Sequence, residues 1–152
     1  MRMKGKKVIF SERDTFSLDC VLSPVIAEGL KKFKEVFKNC EHCGYPAIFE
    51  LSQTSKDSLG DDTDYHDKVS QDLWLTVVDE MIYAFDAEEP EIPDGLLSSE
   101  SFPYGESGLS ELKITVNDEE AYAAYNAECA NHEAKCTHGR EQFAKYYTYL
   151  WW

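Results

Sequence analysis

No stretch of the 152-residue chain is apolar for the roughly eighteen residues a membrane-spanning helix needs, and the lysine-rich opening is not followed by the apolar segment of a secretory signal. Cations are scarce: fifteen Lys and Arg stand against twenty-nine Asp and Glu, a net charge of −14. That balance repels nucleic acid and anionic lipid alike, so neither direct nucleic-acid binding nor a membrane surface is expected. Common catalytic signatures are missing too. The chain holds no G-x-x-x-x-G-K-[ST] loop, no G-x-G-x-x-G turn and no H-E-x-x-H helix. Gly105-Glu106-Ser107-Gly108 misses the nucleophile-elbow spacing by one residue. The acidic stretch 57–68 breaks the calcium-loop pattern at Leu59 and lacks the glycine at its sixth position. Five cysteines cannot all pair, which disfavours a secreted disulfide scaffold and fits reduced thiols in a cytosol.

Against these absences stand a globular composition and an uneven charge. Hydrophobic residues make up 43% of the chain, with eight Phe, nine Tyr and three Trp, more than an acidic disordered tail carries. One domain over 1–152 with a real core is expected. Residues 1–43 hold nine Lys/Arg and six Asp/Glu; residues 44–118 hold three and eighteen, a net of −15; residues 119–152 hold three and five. Two runs carry much of the excess: Asp61, Asp62, Asp64 and Asp67, then Asp86, Glu88, Glu89, Glu91 and Asp94. Charge blocks ordinarily serve as solvated surface. The second run, however, starts where a helix should end, and carboxylates there oppose the helix dipole. A basic protein partner would account for them, so both runs are candidate partner-binding residues.

Periodicity predicts an all-α fold of three main helices. The first covers about 15–39, with Asp14 as N-cap, Val25, Ile26, Leu30, Phe33, Val36 and Phe37 at helical spacing, and a bend at Ser23-Pro24. The second covers 64–87, where Val69, Leu73, Val77 and Met81 form one apolar row and Trp74, Val78, Ile82 and Phe85 the next. The third covers 118–150, capped by Asn117 with Asp118, Glu119 and Glu120 in its first turn. Residues 44–63 read as loop, and 88–116 as a long acidic loop. At most a minor two-stranded element is expected, from Val8-Ile9-Phe10 or Lys113-Ile114-Thr115-Val116.

The third helix carries the clearest pattern. Its inward positions run 122, 125, 129, 132, 136, 139, 143, 146, 150, an unbroken alternation of three and four. Such a 3.5 period makes a long bundle seam or a coiled-coil contact. The middle of the seam is small and polar (Cys129, His132, Cys136, Gly139), and its ends are aromatic. Gly139 weakens the helix by about 1 kcal/mol relative to alanine but lets a neighbouring backbone come close. The aromatic end, Tyr146-Tyr147-Thr148-Tyr149-Leu150-Trp151-Trp152, is expected to pack on the core.

One constellation suggests metal. Cys40-x-x-Cys43, with His42 between, pairs in principle with His132 and Cys136, which share a helix face one turn apart. Four such ligands would close a structural zinc site. The alternative is that Cys129, His132 and Cys136 are seam residues, since buried cysteine behaves as a small hydrophobe.

An ordered set of landmarks runs along most of the chain: Asp14-Thr15-Phe16-Ser17-Leu18-Asp19, Gly44-Tyr45-Pro46, Val78-Asp79-Glu80-Met81-Ile82-Tyr83-Ala84-Phe85, Phe143-Ala144-Lys145-Tyr146-Tyr147 and Leu150-Trp151. In these the chain resembles a group of small uncharacterised proteins encoded by tailed bacteriophages. That group carries D-x-[WF]-S-L-D, H-G-Y-P, D-x-[IM]-I-x-[AG]-F and L-F-x-x-Y-x-x-x-L-W in the same order. Where it has H-G-Y-P, this chain inserts a cysteine, His42-Cys43-Gly44-Tyr45-Pro46. The resemblance implies origin rather than activity: a phage protein made in a host bacterial cytoplasm.

The leading expectation is a non-enzymatic acidic binding protein that engages a basic host or phage protein, in its specific form an inhibitor of a host nucleic-acid-binding or defence protein. A second is a structural or accessory subunit that forms a homo-oligomer through the long C-terminal helix. A third is a zinc-stabilised protein or an enzyme with an unrecognised site.

Overall fold

The computed structural model describes residues 2–4, 7–9, 11–40, 44–49, 63–104 and 109–150. These are mostly α-helical, with two small two-stranded antiparallel sheets. The chain divides into two compact units, residues 1–87 together with 135–152, and residues 88–134.

The first unit opens with β1 (Arg2–Lys4) paired antiparallel to β2 (Lys7–Ile9). Next comes α1 (Glu12–Phe16), closed at its start by a capping box. The Ser11 hydroxyl accepts the Asp14 backbone N–H at 3.3 Å, and the Asp14 carboxylate accepts the Ser11 backbone N–H at 2.7 Å. Asp14 therefore lies inside the helix, and Ser11 is the cap. The chain breaks at Ser17 (φ −134°, ψ 68°), and α2 (Leu18–Lys38) then runs through Pro24 without interruption. The single helix expected over 15–39 is thus two, separated at Ser17. Proline leaves the carbonyl four residues back without its helical donor; Pro24 and Cys20 are both exposed residues.

A short 3-10 turn (Ala47–Phe49) and the long α3 (Thr63–Asp86) follow, and the unit is completed by the last turns of α4 (Glu119–Tyr146) and a 3-10 turn at Tyr147–Tyr149. The helix expected to reach 150 therefore tightens after Tyr146. The core is built on Leu30, Phe33 and Phe37 of α2, Trp74, Val78 and Met81 of α3, and Tyr146 of α4. Fully buried Trp74 meets Phe33 edge-on at 6.4 Å, Tyr146 edge-on at 5.8 Å and Phe49 at 5.4 Å between ring centroids. Such geometries suit the ring quadrupoles. The wide ring fixes the rotation of α3: His66, Ser70, Trp74, Val78 and Met81 form its buried row, while Leu73, expected inside, is 46% exposed at the rim.

Within the second unit, residues 88–93 have no regular secondary structure and lead to a turn at Asp94-Gly95, where Gly95 takes φ +75°. An antiparallel hairpin follows, β3 (Leu97–Tyr104) with β4 (Leu109–Val116), in register from Leu97↔Val116 to Tyr104↔Leu109. The acidic segment read as a loop is thus largely a hairpin. Asn117 closes its base: its backbone N–H donates to Leu96 O at 2.9 Å, its side-chain amide donates to Gly95 O at 2.8 Å, and its side-chain oxygen accepts from Ser98 Oγ at 3.0 Å. With Asn117 so engaged, Asp118 caps α4, its carboxylate accepting the Ala121 N–H at 3.0 Å. All nine inward positions of the third helix's seam are buried or half-buried.

Candidate functional site

Of the first acidic run, Asp61 and Asp62 lie outside the described residues, as does the side chain of Asp64 in the first turn of α3. Asp67 accepts a hydrogen bond from the Tyr45 hydroxyl at 2.9 Å. That part of the run sits near a helix N-terminus, where carboxylates suit the dipole.

The second run divides at the end of α3. Asp86, its last residue, is held by Lys31 of α2 at 2.8 Å, and the same ammonium reaches Glu28 at 2.9 Å. These bonds, Asp86 first, raise the Lys31 pKa above the ordinary lysine value. A carboxylate that the helix dipole disfavours is thus neutralised within the chain. Lys34 pairs with Asp79 in the same α2–α3 seam. The two ion pairs border a groove of about 370 Å³ lined by Lys31, Lys34, Glu35, Lys38, Asp79 and Ile82. No sequence signal pointed to this groove, because it exists only once the two helices are side by side.

Glu88, Glu89, Glu91 and Asp94 belong to the second unit and are exposed. This unit holds twelve Asp and Glu and one cation, Lys113, for a net of −11 out of the chain's −14. Every ion pair among the described residues lies in the first unit. The described carboxylates of residues 88–134 are therefore exposed, and none has an ion-pair partner among the described residues. The Tyr125 hydroxyl, 3.5 Å from Pro90 O, has its pKa raised by its hydrogen bond with Cys129, by burial, and by charges that include Glu89.

Of the four metal candidates, Cys40, His132 and Cys136 fall among the described residues. Cys40 follows α2 and is disulfide-bonded, so the expectation of reduced thiols fails there, and in that state it offers no thiolate. Cys43 lies outside the described residues. His132 is half-buried and Cys136 buried, one turn apart on α4. Among the described residues no group of three or more His, Cys, Asp or Glu is placed to hold a metal ion.

The seam of α4 is occupied by its own chain over its C-terminal part. Gly139 is buried against the Glu80 and Ala84 positions of α3, and Phe143 and Leu150 pack on the core. His66 Nε2 and Trp74 Nε1, both on the inner row of α3, are buried with no hydrogen-bond partner among the described residues. The periodicity that put these residues on a helix gave no warning that their nitrogens would be stranded. No helix among the described residues is long and apolar enough to cross a membrane. In comparisons with known proteins, no family model, curated protein or solved structure matches the chain.

Proposed function

We propose that this is a non-enzymatic, phage-encoded binding protein whose acidic second unit engages a basic protein surface in the host bacterium, such as the nucleic-acid-binding face of a host or defence protein. The carrying observation is the distribution of charge: a net of −11 within residues 88–134, whose described carboxylates are exposed and take part in no ion pair among the described residues. Carboxylates that only kept the chain soluble would serve equally well spread over both units. Gathered on one, they generate a field that steers a cationic partner and rejects nucleic acid. Asp86 and Asp67, occupied by Lys31 and Tyr45, contribute less than the sequence suggested.

The test is affinity capture from a nuclease-treated bacterial lysate, washed at low and then high salt, with the natural chain beside a Glu88→Gln/Glu89→Gln/Glu91→Gln variant. A basic nucleic-acid-binding protein retained by the natural chain, released by salt and lost by the variant supports the reading. Retention that ignores both salt and the triple substitution would overturn it.

A further inference from the structure

We propose that a second copy of this chain adds its β4 antiparallel to the outer edge of β4, centred on Leu112, so that two hairpins form one four-stranded sheet. The hairpin is long for a two-stranded sheet, eight residues on each strand, and the described sheet has no third strand. Isolated two-stranded ribbons are marginal in water, and an open edge is a template for pairing. The described side chains from Ser98 to Pro103 and from Ser110 to Thr115 are all exposed, with Leu112 61%, Ile114 60% and Phe102 46% accessible. Side chains alternate across a strand, so Leu112 and Ile114 share one face with Val116, while Glu111 and Lys113 share the other.

Charge selects the partner and the register. A two-fold pairing that keeps the Leu112 face continuous must centre on a residue. Centred on Glu111 or on Lys113, it sets like charges directly opposite. Centred on Leu112, it sets Glu111 against the partner's Lys113 and Lys113 against the partner's Glu111, with Leu112 opposite its own copy and Ile114 diagonal to it. Opposite charges in directly opposed positions are favourable and like charges unfavourable. Lys113 is the sole Lys or Arg of residues 88–134, takes part in no ion pair among the described residues, and stands across from Glu100 in the hairpin. In the assembly it is flanked by two carboxylates, Glu100 on one side and the partner's Glu111 on the other. The edge of β3 offers nothing comparable: it carries Glu100 with no cation, and Pro103 lacks an N–H to donate.

Light scattering on the size-fractionated full chain, over a range of concentrations, tests this with three proteins: the natural chain, Lys113→Glu, and Glu111→Lys/Lys113→Glu. The natural chain is expected at twice its monomer mass. Lys113→Glu turns two attractive pairs into two repulsive ones and should weaken the dimer about tenfold or more. The double exchange restores opposite charges across the two-fold, while it sets Glu at 113 against Glu100 within each hairpin, and should recover the dimer in part relative to Lys113→Glu. Far-UV circular dichroism checks that these exposed substitutions leave the fold intact. A chain monomeric at every concentration overturns the proposal, as does a dimer that neither substitution moves. A dimer weakened by Lys113→Glu and not recovered by the double exchange also overturns it, because the register then is not the one described.

Discussion

Gly139 of α4 leaves no room for a side chain beneath Ala84 of α3: a Cβ at position 139 would stand 2.6 Å from the Cβ of Ala84 and press on the Glu80 carbonyl as well. Helix propensity and packing make opposite forecasts here. In an exposed helix, Gly→Ala stabilises by about 1 kcal/mol. Here the close neighbours include backbone, which cannot rotate away. Gly139→Ala should therefore destabilise the chain by about 1–3 kcal/mol, the cost of an overpacked core, and Gly139→Leu by more. Denaturant unfolding checks it, and a stabilised Gly139→Ala would mean that the helices are not in this contact.

Trp74 offers a second test. Truncation to alanine should cost about 3–5 kcal/mol, as removal of a large core ring does. Trp74→Phe keeps a ring among Phe33, Phe49 and Tyr146 and also deletes a buried N–H that has no partner among the described residues. Because an unsatisfied buried donor itself costs about 1–3 kcal/mol, that change should stay within about 1.5 kcal/mol of the natural chain. Unfolding curves for the two variants separate the ring's contribution from the nitrogen's. Equal losses would show that the indole nitrogen is satisfied.

At the other end of the unit, the Ser11 backbone N–H, followed by further hydrogen bonds including the Ser11 hydroxyl, holds the Asp14 carboxyl at about 2, against an ordinary 3.8. A folded value below the unfolded one means that the capping box contributes in full above about 3.8 and is lost as pH falls through about 2. Ser11→Ala removes the hydroxyl but keeps the stronger backbone donor, so the Asp14 pKa should rise only part of the way. Ser11→Pro removes both and should raise it further. Titration of the Asp14 carboxyl by NMR reads both shifts, and an unmoved value in Ser11→Pro would dissociate the carboxylate from the cap.

Salt should act in opposite directions on the two kinds of association proposed for the second unit. Capture of a basic partner weakens as salt rises, because attraction over a Debye length is screened. Pairing of two hairpins brings together units of −11 each, so screening should strengthen it. Repeating the light-scattering series at low and high salt measures the second effect separately from the first.

How far the sequence told this in advance depended on whether the signal was local. The seam of α4 was legible because its 3.5 period is carried by nine positions, and the burial of all nine follows that period. Helix α3 was legible in extent but not in rotation. Leu73 and Trp74 both belong to apolar rows, and only the rings of Phe33, Phe49 and Tyr146 decide that Trp74 goes inside. The hairpin was hidden because β3, Leu-Ser-Ser-Glu-Ser-Phe-Pro-Tyr, has neither a buried face nor a period of two to announce it. The break at Ser17 was not legible, because the backbone turns there without any proline or glycine. For the candidate site, the position of each carboxylate was plain from the sequence. What was not plain was which of them are already spoken for: Asp86 by a lysine 55 residues away, and Asp67 by a tyrosine 22 residues away.

The scarcity of cations in the second unit also sets where a protease can enter. Between Lys68 and Lys135 trypsin has a single bond to cleave, the one after Lys113, in the middle of β4. That bond can be cut only if the strand leaves its ladder, so the rate of appearance of the fragment beginning at Ile114 clocks the opening of the hairpin. The same digest shows, without any label, whether a partner or a second copy is lying along that edge.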